Sequence, residues 1–183
     1  MHRAPGISGL SIFFIAVIIP VSGRAEHAGA LTVCDLLKDP SKYDGRLVQV
    51  RDHTIGTSEG VWFVSQECPG VFVTEGYEWD GLISITYPGN FDAHPVDFRL
   101  NLESRRRLKK KYARVRRQAK PECVEWTLTG LFETRTTWKH NVNGVPIGFG
   151  HQGQAPAQLI VKSEDDVAAI PNCPSRGNKK QED

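Results

Sequence analysis

Residues 45–68 constrain the fold most strongly, because they contain two β-type runs separated by a turn bounded by glycines. The first run, residues 46–51, alternates in polarity and has β-branched residues at its centre. The second run, residues 61–64, is dense in strand-forming residues, and the turn between the runs spans residues 56–60. This arrangement predicts a long antiparallel hairpin. The rest of the chain must then supply strands that pair with its two edges.

Three further strands are predicted downstream of the hairpin, at residues 81–87, 123–132 and 157–161. A short edge strand is predicted at residues 71–73. Gly130 interrupts the run at 123–132 and predicts a β-bulge, because an isolated glycine in a strand often marks one.

Residues 102–119 form the one long helix candidate. Leu108, Tyr112, Val115 and Ala119 recur at helical spacing and define one apolar face. A short helix is predicted at residues 34–38 with Thr32 as its N-cap, and another at 164–169 capped by Ser163.

The predicted order of elements is β-β-β-α-β-β. This order predicts a mainly β protein with α+β content. Its fold class is an OB-like five-stranded Greek-key barrel with a helix between strands 3 and 4 and short flanking helices. The alternative is an open α+β sandwich.

Two segments of the chain resemble a group of small exported bacterial proteins with an OB-like barrel and no assigned activity. The first comprises residues 33–37, 43–45 and 48–51, and the second comprises residues 148–151 and 156–161. The resemblance covers most of residues 33–170. It implies the fold and export, and it supplies no catalytic residue.

The N-terminus has the pattern of a secretory signal peptide, residues 1–25. Its apolar run at residues 12–19 is far shorter than the roughly 20 residues that a membrane helix needs. We therefore expect a periplasmic or secreted protein with no integral membrane span after cleavage. The mature chain is divided into a flexible lead at 26–32, a barrel domain at 33–173 and a disordered tail at 174–183.

Cysteine usage fits export. The mature chain has an even number of cysteines, Cys34, Cys68, Cys123 and Cys173, which suggests two disulfides. The hairpin returns Cys68 toward the helix that carries Cys34, so we predict the pairs Cys34–Cys68 and Cys123–Cys173. The chain contains no Cys-x-x-Cys spacing, which argues against a zinc ribbon or a thioredoxin-type redox centre.

Two glycine motifs match enzyme signatures literally. Residues 56–60 read G-x-S-x-G, but a nucleophile elbow needs a strand, a strained turn and then a helix. Residues 148–153 read G-x-G-x-x-G, but a dinucleotide fingerprint must open a helix, and a β-type run follows instead. We interpret both as turns and predict no catalytic residue and no cofactor.

The histidines form no pair at metal-binding spacing, so no metal site is predicted. His151 lies between glycines, and Trp79 and Trp138 lie in predicted loops. These three residues form a candidate ligand loop. The alternatives are that His151 fixes its own turn and that the two tryptophans cap an end of the barrel.

The strongest functional feature is the charge of residues 105–120, which contain ten basic side chains and no acidic one. The candidate binding residues for an anionic partner are Arg105, Arg106, Arg107, Lys109, Lys110, Lys111, Arg114, Arg116 and Arg117. Such a segment can bind acidic membrane headgroups, acidic polysaccharide or an acidic protein. The alternative is a solvated helix face that the acidic residues of the rest of the chain partly neutralise. Export argues against intracellular nucleic acid.

The sequence therefore favours a non-enzymatic, exported OB-like module that engages an anionic surface, polysaccharide or acidic protein through its basic helix. One alternative is a structural or assembly component of the cell envelope. Another is a hydrolase whose site is formed by residues distant in sequence.

Overall fold

A computed structural model describes residues 29–65, 68, 70–90, 95–119, 123–135 and 137–170. In chain order its elements are α1 (Val33–Lys38), α2 (Pro40–Tyr43), β1 (Arg46–Gly56), β2 (Val61–Val64), β3 (Val73–Thr74), β4 (Tyr77–Glu78), β5 (Leu82–Thr86), α3 (Leu102–Ala119), β6 (Cys123–Thr134), β7 (Lys139–His140), β8 (Pro146–Ile147), a 3-10 helix (His151–Gly153) and β9 (Ala157–Ile170).

Five strands close into a barrel in the order β1-β2-β5-β9-β6. Strands β5 and β9 are parallel, and the other neighbouring pairs are antiparallel. The predicted hairpin is the pair β1–β2, and α3 connects the third barrel strand, β5, to the fourth, β6. The OB-like fold class is therefore confirmed, and closure of the sheet excludes the open sandwich.

Apolar side chains from the five strands fill the barrel together with side chains of α1. The buried cluster comprises Val33, Leu36, Leu37, Val48, Val50, Phe63, Ile83, Ile85, Leu128, Phe132, Ala157, Leu159 and Val161. Helix α1 begins where the sequence predicts, because Thr32 Oγ1 accepts a hydrogen bond from the Asp35 backbone N–H and Asp35 accepts one from the Thr32 N–H. Capping fixes the start of the helix whose apolar face enters the barrel.

Cys34 and Cys68 form a disulfide, with Cα atoms 5.7 Å apart, so this predicted pair is confirmed. The pair Cys123–Cys173 stays a prediction, because Cys173 and the side chain of Cys123 lie outside the described residues. The expected signal peptide and tail lie outside them too. Within the expected lead, the Leu31 N–H donates to Gln49 O and Leu31 O accepts from the Arg51 N–H, each at 2.8 Å.

The short helix predicted at residues 164–169 is wrong, because these residues belong to β9. They pair with β6 from Thr127↔Asp166 to Cys123↔Ile170. The serine and aspartates that suggested a helix start instead form a local contact, in which Ser163 Oγ donates to Asp165 Oδ1 at 2.7 Å. Pairing with a long neighbouring strand outweighs this local helix preference.

The irregularity predicted at Gly130 exists, although the extra residue lies on the partner strand. The register shifts between Thr129 and Gly130, where β9 accommodates Lys162 as an additional residue. Glycine is needed at this position because a Cβ atom would lie 2.4 Å from Ile160 O. The short strand predicted at residues 71–73 is found at Val73–Thr74, where it pairs with β4 outside the barrel.

Candidate functional site

One face of α3 is buried against the barrel. Leu108, on the predicted apolar face, is only 2% exposed. The ring of Tyr112 packs against Trp126 of β6, with ring centroids 5.4 Å apart. Val115, on the same face, is partly buried. A helix held along one face presents the opposite face in a fixed direction.

A buried polar cluster ties the first turn of α3 to β9. The Glu164 backbone N–H donates to Ser104 Oγ at 3.1 Å, and the Ser104 hydroxyl donates to Asn101 O at 2.8 Å. The Tyr87 hydroxyl donates to Glu164 Oε1 at 2.9 Å, and Arg105 Nε lies 3.6 Å from the same oxygen. Burial, followed by the negative charge of Glu164, raises the pKa of Tyr87 above its ordinary value. These contacts fix the helix against β9.

The barrel and the helix itself neutralise some of the nine candidate binding residues. Arg105 lies beside Glu164, and Lys111 donates to Asp166 of β9. Burial acts to raise the pKa of Asp166, but the hydrogen bond from Lys111 and further favourable contacts hold it below its ordinary value. Arg107 pairs with Glu103 one turn earlier in α3, at 2.8 Å. These cations therefore contribute to folding contacts.

The remaining cations point away from the barrel. Arg106, Lys110, Arg114 and Arg117 follow one another at helical spacing, and we call them the outward row. All are exposed, and none forms an ion pair with a carboxylate in the part of the chain that the structure describes. Lys109, on the flank of this row, shares both properties. At a rise of about 1.5 Å per residue the row extends for about 16 Å.

Arg116 is also exposed, and its guanidinium lies 5.8 Å from the centroid of the Tyr112 ring. Its charge therefore lies near the boundary between the packed face and the outward row.

The three residues of the candidate ligand loop lie in two separate places, with Trp79 beside Trp138 and His151 apart from them. Trp79 is buried, and its Nε1 donates to Thr74 Oγ1 at 3.1 Å. Its ring contacts both Trp138 and Tyr77 at centroid distances of 4.9 Å. These contacts pack the two tryptophans against each other, and the alternative that they cap an end of the barrel stays a prediction. His151 is exposed, and its Nε2 lies 3.7 Å from Glu59 Oε1, in the turn between β1 and β2.

The two glycine motifs lie in turns, as interpreted. Residues 56–60 connect β1 to β2, where the Thr57 N–H donates to Gly60 O at 2.9 Å. Residues 148–153 precede β9 and open no α-helix. The described residues contain no group of three His, Cys, Asp or Glu side chains close enough to hold a metal ion.

Sequence reasoning missed two buried carboxylates, Glu164 and Asp52. Asp52 Oδ2 accepts from the Val33 N–H at 3.0 Å, so it caps α1 from β1, and its Oδ1 accepts from the His53 N–H at 2.8 Å. Burial raises the pKa of Asp52 despite these hydrogen bonds. The alternation of β1 could have revealed it, because Asp52 continues the inward series of Val48 and Val50.

Comparisons with protein-family models, with curated proteins and with solved structures give no significant match. Among the described residues, no helix combines the length and hydropathy needed to cross a bilayer. Functional inference therefore depends on the geometry of the chain itself.

Proposed function

We propose that the chain is an exported, non-enzymatic binding module whose OB-like barrel presents the outward row of α3 to an anionic surface or partner. The observation that carries this proposal is the division of charge on α3. Arg105, Arg107 and Lys111 have carboxylate partners, whereas Arg106, Lys110, Arg114 and Arg117 have none among the described residues. A helix that served only to cover the barrel would not need four cations on its far side.

The energetics of α3 support the same conclusion. Like charges four residues apart disfavour a helix by about 0.2–0.5 kcal/mol per pair, and Arg106, Lys110 and Arg114 form two such pairs. Packing of Leu108 and the Ser104–Glu164 hydrogen bond offset this repulsion. Anchoring also orders the helix before a partner arrives, which lowers the entropic cost of binding.

The chemistry of the row favours electrostatic recognition without membrane insertion. Three of its members are arginines, whose planar guanidinium groups match carboxylate, sulfate and phosphate oxygens in bidentate geometry. The only other side chain between them on this face is the small, exposed Ala113. Because the stretch from Arg106 to Arg117 has no large apolar group on this face to insert, its affinity depends on charge and falls as salt rises.

Export is supported by the signal-peptide pattern of residues 1–25 and by the Cys34–Cys68 disulfide. Disulfides persist in oxidising compartments and are rare in the cytosol. A periplasmic or secreted module of this kind would meet anionic polysaccharide, acidic headgroups or acidic proteins.

The test compares two variants with the same change of net charge. The first reverses the outward row to glutamate at Arg106, Lys110, Arg114 and Arg117. The control reverses four scattered and exposed cations instead, namely Lys38, Arg46, Arg99 and Lys139. Retention on heparin and on phosphatidylglycerol vesicles is measured at low and high salt.

We expect wild type and control to be retained at low salt and released by salt, and the row variant to flow through. Equal retention of the two variants would leave only nonspecific charge attraction and would refute the proposal. If wild type bound neither probe but copurified with one acidic protein, the envelope-assembly alternative would replace the binding of anionic surfaces.

A further inference from the structure

A second feature lies on the outer face of the barrel, away from the outward row. Strand register aligns four side chains across the sheet. Trp62 of β2 is opposite Ser84 of β5, Ser84 is opposite Gln158 of β9, and Gln158 is opposite Glu133 of β6. We call them the cross-strand row. They point outward, because the adjacent residues Phe63, Ile83 and Leu159 belong to the barrel interior.

Outward residues of a small barrel normally face water, but most of this row is buried. Trp62 is 4% exposed, Ser84 is 5% exposed and Gln158 is 1% exposed. The segment between β8 and β9 lies over Trp62 and Ser84, and we call residues 148–154 the lid. A Cβ atom on Gly150 would lie 2.7 Å from Ser84 Oγ and 3.3 Å from Trp62 Nε1. Only glycine allows the lid to approach so closely, and its φ of +74° also favours glycine.

Many of the lid's hydrogen bonds lie within its own turn. Gly148 N–H donates to Gly153 O at 2.8 Å, Gly153 N–H donates to Gly150 O at 3.0 Å, and Phe149 N–H donates to Ala155 O at 2.7 Å at the base of the lid. Arg135 contacts the lid by donating from Nη2 to Gly148 O at 3.3 Å, with its guanidinium 4.5 Å from the centroid of the Phe149 ring. A turn that satisfies much of its own backbone can move as a unit.

The lid also borders an open groove. The groove is lined by side chains that include Tyr77, Ile147, Gln152 and Gln154.

Five side-chain polar atoms of the described residues are buried without hydrogen-bond partners, and three of them lie in this region: Trp62 Nε1, Arg135 Nε and Gln158 Oε1. The first two are donors and the third is an acceptor. Each unmet hydrogen bond disfavours the closed state, and such atoms in a native structure call for an explanation. Trp62 Nε1 lies beneath Gly150, Arg135 contacts Gly148 and Phe149, and Gln158 is the register neighbour of Ser84, so displacement of the lid would open this region to a ligand.

We propose that the lid gates a binding site for a neutral, polyhydroxylated ligand such as an oligosaccharide. Hydroxyl groups both donate and accept, so they match the two donors and the acceptor, and the Trp62 ring offers an apolar face for sugar C–H groups. The carboxylate of Glu133 accepts from Gln158 Nε2 at 2.6 Å, and its negative charge at one end of the row disfavours an anionic ligand. This site is independent of α3 and adds a second ligand class.

The first test asks whether the lid moves. Gly150→Ala places a methyl group on Ser84 and should hold the lid open. Gly144→Ala is the matched control, because Gly144, in the preceding turn between β7 and β8, has a similar φ of +75° but no atom within 4 Å of a built Cβ. Phe149→Ala is a second opening variant, which loosens the lid without adding an atom. The readout is hydrogen exchange of the Trp62 indole N–H by NMR, with the signal assigned through Trp62→Phe.

We expect faster indole exchange in Gly150→Ala and Phe149→Ala, with the rest of the spectrum still dispersed, and no change in Gly144→Ala. If the Trp62 indole N–H exchanges as slowly in both opening variants as in wild type, the proposal that the lid moves is refuted.

The second test titrates each protein with maltohexaose and with cellohexaose and follows the same indole signal. We expect a saturable shift with at least one sugar, and an apparent affinity higher by about fivefold or more in the opening variants, because lid closure no longer competes. Gln158→Met should remove the shift. No shift at Trp62 in any variant, or a shift produced only by a heparin hexasaccharide, would overturn the proposal. The charge-reversed α3 variant should bind these sugars as wild type does, so the two proposals can fail separately.

Discussion

The Tyr87 hydroxyl donates a 2.9 Å hydrogen bond to Glu164 Oε1, which places a buried carboxylate between the strand that precedes α3 and the strand on which α3 lies. The same carboxylate lies beside Arg105, whose guanidinium is also 5.0 Å from the centroid of the Tyr87 ring. Three residues distant in sequence therefore form one contact. This contact links the stability of the barrel to the position of α3.

The protonation of Tyr87 should make stability fall at alkaline pH. Burial and the charge of Glu164 raise the pKa of Tyr87 in the folded state above the 10.0 of an ordinary tyrosine. The stability that the neutral hydroxyl supplies is complete below that ordinary pKa, and it is lost as pH rises above about 10. Urea unfolding across this range should show a steeper decline for wild type than for Tyr87→Phe. Tyr77→Phe serves as the control, and equal slopes for all three proteins would contradict the prediction.

The capping box of α1 gives a prediction at acid pH. The Thr32 backbone N–H, then the Thr32 hydroxyl, lower the pKa of Asp35. The stability that ionised Asp35 supplies is present above its ordinary pKa and is lost as pH falls through the lowered one. Thr32→Ala should cost roughly 0.5–2 kcal/mol in unfolding free energy at neutral pH. The loss should shrink on acidification, as measured by urea titration, with the exposed Ser58→Ala as control. A constant difference at every pH would contradict this role.

The hairpin β1–β2 and helix α3 could be predicted because their patterns are local. Alternation identifies β1, and the recurrence of Leu108, Tyr112 and Val115 identifies the packed face of α3. The second half of β9 could not be predicted in the same way. Its serine and acidic residues resemble a helix start, and only pairing with β6 makes them a strand.

The sequence alone could not show which basic residues of α3 are paired with carboxylates, because this depends on the fold. Nothing in the spacing of Arg105 and Lys111 indicates that Glu164 and Asp166 neutralise them, since these carboxylates lie some 55–60 residues away. The cross-strand row could not be predicted from the sequence either. Trp62 and Gln158 share one outer face only because strand register aligns both with Ser84. The sequence located the charged segment, and tertiary pairing determined which charges remain available.

Packing of α3 can be tested with two leucines of the same helix. Leu108 is 2% exposed, whereas Leu102 is 59% exposed. Leu108→Ala should lower the unfolding free energy by about 2–5 kcal/mol, because it removes buried methyl groups and leaves a cavity. Leu102→Ala should change it by less than about 0.5 kcal/mol. Chemical denaturation measures both, and similar losses for the two variants would contradict the assignment of the buried face.

Lys110 offers the sharpest separation of stability from binding. It lies four residues after Arg106 and four before Arg114, so Lys110→Glu replaces two like-charge pairs with two attractive ones. The unfolding free energy should rise by roughly 0.5–1.5 kcal/mol at low salt. Retention on heparin should weaken in the same variant, because the middle of the outward row changes sign. Lys110→Gln should fall between wild type and Lys110→Glu in both measurements, and salt should reduce both effects. A gain in stability with unchanged retention would show that the row is only a solvated face. A loss of stability would show instead that Lys110 has a favourable partner in the folded chain.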